Sequence, residues 1–198
     1  MVSFNIVLFD GFETLDATGP VEVIGQMPET YSLGYFSRSG GSVLSSQQLG
    51  VNTRPFSEMD TAGVLLIPGG TGTRKLVDDI DFISKIKEIS QNASYALTVC
   101  TGSALLAKTG LLCGKNATSN KRAFDWVSGT CAEVHWVKNA RWVVDGKYYT
   151  SSGVSAGIDM TLGFVSDIHG DDAAREICRN IEYTRNKDKT NDPFAVEM

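Results

Sequence analysis

The sequence predicts an α/β fold, a three-layer sandwich whose mostly parallel central sheet carries helices on both faces. Three observations lead there. Apolar runs of strand length recur along the chain, as in "FNIVLF", "AGVLLIP" and "SYALTVC". Between them lie stretches whose apolar residues fall three and four apart, the helical period. Glycines or acids follow the strands, as in "DGFETLD" and "PGGTGTR". Strand and helix in alternation build a parallel sheet from crossover units.

Taken in order, "FNIVLF" is a first buried strand. "LDATGPVEVIGQM" is a helix entered through Asp16, Thr18 and Pro20, residue types suited to a helix start. "YSLGYFS" is the next strand, and Gly40-Gly41 the turn after it. After "AGVLLIPGG", Phe82, Ile83, Ile86 and Ile89 mark an amphipathic helix with Lys85, Lys87 and Glu88 on its other face. "SYALTVC" is a strand, after which Thr101, Gly102 and Ser103 open the helix-forming run of residues 104–108. In "ARWVVDGKYYTSSG", Asp145-Gly146 between two strand-like runs signals a hairpin. Ile158, Leu162 and Val165 then line one helix face, and Ala174, Ile177, Cys178 and Ile181 line another, which places Cys178 in the core. A polar tail, residues 186–198, closes a single domain of residues 1–198 without repeats or linkers.

Composition narrows the function. The chain has 198 residues, 42% hydrophobic, with 18 basic and 23 acidic side chains and a net charge of -5. With no basic tract, nucleic acid is not an expected partner. Its apolar stretches fall short of the roughly 20 residues of a membrane span, and the first residues lack the basic flank of a secretory signal. The reading is a cytoplasmic protein that acts on a small molecule. Cys100, Cys113, Cys131 and Cys178 show no CxxC spacing and no histidine at zinc-finger distance, so neither a metal nor a disulfide framework is expected.

Cys100 is different from its sisters because it sits where a strand gives way to a helix. Unpaired N–H groups and the helix dipole at that point favour a thiolate, so its pKa is expected to fall. Residues 10–20, 68–73 and 100–103 each follow a strand's carboxyl end and are expected to converge. The first segment offers Asp10, Glu13 and Asp16; the alternative makes Asp16 a helix cap and Glu13 a solvated charge. The second offers backbone amides. It lacks the Lys-Ser/Thr ending of a phosphate loop and is not GxGxxG, so no cofactor is expected.

These residues resemble the ThiJ/PfpI superfamily, related to class I glutamine amidotransferase domains. The likeness runs from "VLFDGFETLDATGPVEV" through "VLLIPGG", "VCTGSALLAKTGLL" and "YTSSGVSAGIDM" to "REICRNIEY". "LDATGP" with "VCTGS" is most similar to the isocyanide (isonitrile) hydratase branch. That resemblance implies a flavodoxin-like fold, a strained nucleophile elbow at Cys100, and a reaction centre of Asp16, Cys100 and Thr101. It also implies oxyanion stabilisation by the N–H of Thr101 with one from Gly70 or Thr71, and a homodimer buried near the first helix, for which Trp126, Trp136 and Trp142 could supply aromatic surface. Relatives with peptidase activity carry a histidine where Thr101 stands, and other relatives have one at the place of Asn120. His135 reads as a strand residue and His169 as a connection between helices.

The chemistry implied is a cysteine-dependent hydratase or hydrolase in which Asp16 and Cys100 share a proton. The alternatives are an amidase/peptidase-related or glyoxalase-type enzyme, a redox or stress sensor, and a ligand-sensing module. In some regulators similar modules precede a helix-turn-helix domain, which these 198 residues do not include.

Overall fold

The computed structural model describes residues 1–195. Its strands are β1 (Val2–Val7), β2 (Tyr31–Ser37), β3 (Ser39–Leu44), β4 (Gly50–Pro55), β5 (Val64–Ile67), β6 (Tyr95–Val99), β7 (Asn116–Ala117), β8 (His135–Trp136), β9 (Trp142–Asp145) and β10 (Tyr148–Ser151). The helices are α1 (Thr14–Gly25), α2 (Thr73–Leu76), α3 (Ile80–Asn92), α4 (Gly102–Lys108), α5 (Phe124–Ser128), α6 (Ala156–His169) and α7 (Asp171–Asn180). The main sheet has eight strands in the order β3-β4-β2-β1-β5-β6-β10-β9. Only the edge strands β3 and β9 run antiparallel to their neighbours. α1, α6 and α7 pack together on one face, while α3, α4 and the short α2 and α5 gather on the other.

The sheet forms around middle strands that are largely apolar on both faces. All four residues of β5, Val64, Leu65, Leu66 and Ile67, are buried, as a strand covered by helices on both sides must be. Each such side chain contributes about 1.5–3 kcal/mol on leaving water. Register follows from these runs, with Phe4 beside Val64 and Leu66 beside Leu97. β1 lies between β2 and β5, so the chain leaves it in both directions. The carboxyl ends of β1, β5 and β6 therefore open on one crevice, the usual ligand position in such sheets.

Several elements differ from the sequence reading. α1 begins at Thr14, two residues before Asp16, and Pro20 lies inside it; the proline removes only the N–H that would have met the Asp16 carbonyl one turn earlier. Gly40 and Gly41 belong to β3, and the β3–β4 hairpin, unread in the sequence, turns at residues 45–49. Cys178 is half-buried, with Ala174 and Ile177 forming the buried stripe of α7. Trp142 is in the core, and Trp126 and Trp136 pack half-buried against it, so none is free aromatic surface. The Asp145-Gly146 hairpin stands, pairing Tyr148 with Asp145 and Ser151 with Trp142.

The segment from residue 186 is polar yet docked. Lys189 accepts the N–H groups of Arg141 and Trp142, and the Asp192 N–H donates to Asn139 at 2.7 Å. Asp192 is buried between Lys121 at 3.7 Å and Arg141 at 4.0 Å. Arg141 meets Asp159 at 2.6 Å, and Asp159 also accepts from the Tyr183 hydroxyl and the Asn186 N–H. Residues 196–198 lie outside the described residues. Removing one partner from a buried charge network strands the others. Arg141→Leu is expected to lower the unfolding free energy by about 3–5 kcal/mol, measured by urea denaturation; a loss no larger than that of a surface arginine would show that the network is water-screened.

Candidate active site

Cys100 follows the last residue of β6 and precedes α4 by one turn residue. It adopts φ 56°, a left-handed conformation costly for a side chain with a Cβ. The surroundings fix it through the main chain. Its N–H is shared between the carbonyls of Ser151 and Ser152 at 3.2 and 3.1 Å. Its carbonyl accepts the hydroxyls of Ser119 at 2.8 Å and Ser103 at 3.0 Å. Val154, in the loop after β10, has a second positive φ of 45°.

Asp16 occupies the first turn of α1 and has no accessible surface. The Gly69 N–H donates to its Oδ2 at 2.9 Å, while Oδ1 has no full hydrogen bond among the described residues. Burial raises its pKa from 3.8 to about 7; the Gly69 N–H opposes this, the charge of Glu13 adds to it, and the Cys100 thiol and Val154 N–H oppose it weakly. Asp16 is therefore not a helix cap: the cap position belongs to Glu13, whose side chain makes no capping bond.

Only 7% of Cys100 is accessible. Burial first, and the Asp16 charge second, push its thiol well above the ordinary range, while hydrogen bonds from the Thr101 N–H and hydroxyl pull it down. The expected fall in pKa is thus reversed. α4 is only seven residues long, and the dipole at its start is outweighed by lost hydration and by the adjacent carboxylate. Both groups are therefore protonated below about pH 7 and share at most one negative charge above it.

Thr101 knits the pair to the β5 loop. Its Oγ1 accepts the Gly70 N–H at 3.0 Å and the Thr73 hydroxyl at 3.1 Å. That bond engages the Gly70 N–H, and the Thr101 N–H faces the Cys100 sulfur, whereas the Thr71 N–H has no protein acceptor among the described residues. Gly70 has φ 125°, and a Cβ there would lie 2.3 Å from the Gly11 carbonyl oxygen. A Cβ on Gly69 would meet Thr101 N at 2.6 Å and Asp16 Oδ2 at 2.9 Å. Both glycines are required by how closely the loops approach.

Above the sulfur lies a cleft of about 360 Å³, lined by Glu13, Gly70, Thr71, Arg74, Thr101, Asn120, Arg122, Ala123 and Val154. An adjoining cavity of about 380 Å³ shares Asn120, Arg122 and Val154 with it. Arg74 stacks on Trp126, 3.6 Å above the ring. Glu13 is tied to Gln47 at 2.8 Å, and Asp10 turns away to accept the Leu44 N–H. Asn120 caps the turn of Lys121–Ala123 through the Ala123 N–H. Neither histidine lines the cleft: His135 is exposed on β8, and His169 meets the Tyr31 hydroxyl at 2.7 Å. Sequence reasoning missed Arg74, Arg122 and Val154; the "YTSSGVSAGIDM" stretch was the one signal available for Val154.

Residues 2–167 match the DJ-1/PfpI family model. The chain belongs to the DJ-1/PfpI family. It is 32% identical over 183 residues to an isonitrile hydratase from Pseudomonas putida, covering 92% of this chain and 78% of that protein. It is 27% identical to the HTH-type transcriptional regulator CdhR of Pseudomonas aeruginosa over 88% of this chain, and spans 53% of that regulator. A ThiJ/PfpI family protein from Pseudomonas syringae superposes with a TM-score of 0.84 at 26% identity, covering 93% of this chain and 76% of that one. Among the described residues no helix is long and apolar enough to cross a membrane.

Because the folded-state pKa of Asp16 is raised, the protonated carboxyl favours the fold below pH 3.8, and that contribution is lost as pH rises through about 7. Asp16→Asn retains an oxygen for Gly69 without the charge. Its stability relative to the parent is expected to grow between pH 5 and pH 8 in paired thermal melts; a difference independent of pH would place the carboxylate in contact with water.

Proposed function

We propose that this chain is a cysteine-dependent hydratase acting on a small electrophile of the isonitrile type. The observation that carries the reading is Asp16, a fully buried carboxyl held near pKa 7 beside the Cys100 thiol, with no histidine lining the cleft. An isonitrile needs one nucleophile and one proton carrier at its terminal carbon, and the pair supplies both.

The thiol proton passes to Asp16, and the thiolate attacks the terminal carbon. Asp16 returns the proton to that carbon, giving a thioimidate on Cys100. Water then adds to the same carbon as the Asp16 carboxylate accepts one of its protons and passes it to the nitrogen, and the carbinol O–H proton goes to Asp16 as the adduct collapses. Collapse of the tetrahedral adduct expels the Cys100 sulfur, and the product is an N-substituted formamide. The sum is isonitrile plus water. In this reading the Thr101 N–H and hydroxyl stabilise the thiolate, and the Thr71 amide, joined by that of Thr101 once the sulfur is bonded to carbon, meets charge developing on the adduct.

Similarity to regulators supports a second reading, a ligand-binding module that uses the same cleft without turnover. A peroxide sensor built on the same Cys100 thiol is a third reading, and it needs the same proton transfer to Asp16 before the sulfur can react. We also propose a homodimer through the outer side of α1, where Leu15, Leu44 and Leu49 are 38, 45 and 43% exposed and Thr14 is bonded to Ser45 at 2.7 Å. Sedimentation at micromolar concentration is expected to give a dimer, and a clean monomer rejects it.

The reaction is tested by offering an alkyl isonitrile, methylglyoxal and a peptide amide, with formamide expected from the first alone. Below pH about 7 both Asp16 and Cys100 are protonated, so kcat/KM is expected to rise through that value and level off above it. Cys100→Ser should abolish turnover. Asp16→Asn should lower it by roughly 10²-fold or more and erase the inflection; turnover that persists with the same profile transfers the proton work to Glu13. No turnover of any substrate, with saturable binding in the cleft, favours the module.

A further inference from the structure

Away from the cleft, two turns meet at the end of the small β7–β8 sheet. One, residues 110–115, follows α4 and carries Cys113; the other, residues 129–134, follows α5 and carries Cys131 and Glu133. Main-chain bonds fix them together. The Gly114 N–H donates to the Glu133 carbonyl at 2.8 Å and the His135 N–H to Lys115 at 2.8 Å. Asn116 pairs with His135 and Ala117 with Trp136, and the Trp136 indole N–H donates to the Cys131 carbonyl at 3.1 Å. Both cysteines therefore stand on a braced frame.

We propose that Cys113, Cys131 and Glu133 form a surface site for a thiophilic divalent cation of the zinc class. The Sγ atoms are 3.8 Å apart, far beyond the roughly 2.05 Å of a disulfide. Two thiolates about 2.3 Å from a tetrahedral zinc stand about 3.8 Å from each other. A cation can thus enter without moving the sulfurs. A Glu133 carboxylate oxygen completes the trio, all three ligand atoms lying within 4.8 Å of one another. Cys113 and Glu133 are exposed, which leaves the fourth position to water. Two sulfurs and one oxygen select zinc, cadmium or cobalt over magnesium and calcium. Binding exchanges two thiol protons for the cation, giving a dithiolate–carboxylate complex with no change of oxidation state.

The spacing of 18 residues between the cysteines escapes any local motif. It becomes a site only when β8 is laid beside β7. Neither cysteine lines the Cys100 cleft, so the site is independent of the hydratase reading. As a clip it ties the turn after α4 to the strand after α5, two segments otherwise joined by the short β7–β8 ladder.

The test is titration of the reduced, full-length protein with Co²⁺ and Zn²⁺. One equivalent of Co²⁺ is expected to give sulfur-to-cobalt charge-transfer absorption and tetrahedral d–d bands, which Zn²⁺ bleaches with the release of about two protons. Cys113→Ser and Cys131→Ser should each weaken binding by roughly 10²-fold and Glu133→Gln by roughly 10-fold. Cys178→Ser and Cys100→Ser should bind like the parent. Cys113 is exposed, so circular dichroism of its variant is expected to be unchanged. Binding at full strength in both the Cys113 and Cys131 variants, an octahedral cobalt spectrum without charge transfer, or no binding at micromolar metal would each overturn the proposal.

Discussion

A single negative charge has to be accommodated between two buried groups, Asp16 and Cys100, and much of the architecture around them answers that constraint. An ionised carboxylate out of water is very costly unless donors surround it. Here the donors are few, chiefly the Gly69 N–H, so the carboxyl keeps a proton up to about pH 7. That balance needs α1, the β5 loop and the β6 elbow to sit in contact. The Glu13 N–H bonds the Gly69 carbonyl at 2.8 Å, and Phe12 bridges Gly70. Side chains at residues 69 and 70 would prise these segments apart.

The wall of the cleft rests on a different set of charges. Asn120 and Arg122 flank Lys121, whose ammonium donates to Ala140 and Thr118 and lies near Asp192. Burial lowers the pKa of that lysine to about 8, with Asp192 holding it from falling further. Through Asp192 and Arg141 the network reaches Asp159 in α6. The last described segment thus braces the wall facing Cys100, though nothing in its polar composition suggests a buried role.

What the sequence disclosed and what it withheld divide along physical lines. β1, β5 and β6 were legible because strands covered on both faces must be apolar throughout. β3 and β4 were not, since "SGGSVL" and "GVNTRP" are polar strands at one margin of the sheet, made largely by pairing with each other. Cys100 and Asp16 could be found from the strand-to-helix transition and from the family resemblance. Asp16 could be set against the helix terminus as an opposing influence on the thiol, but burial, which dominates the upward shift, is not a local property. Val154 gave no signal of its own: a β-branched residue is the last expected at positive φ.

Cys100 is held through its own peptide group, whose N–H and carbonyl are both engaged. The N–H of Cys100 rests on the carbonyls of Ser151 and Ser152, and a carbonyl is supplied by whatever residue occupies the place. The side chains of Arg74, Asn120 and Arg122 take no part in those bonds. Rim and elbow are thus separable parts: a substitution at the rim changes what the sulfur faces and leaves the pose of the sulfur as it is.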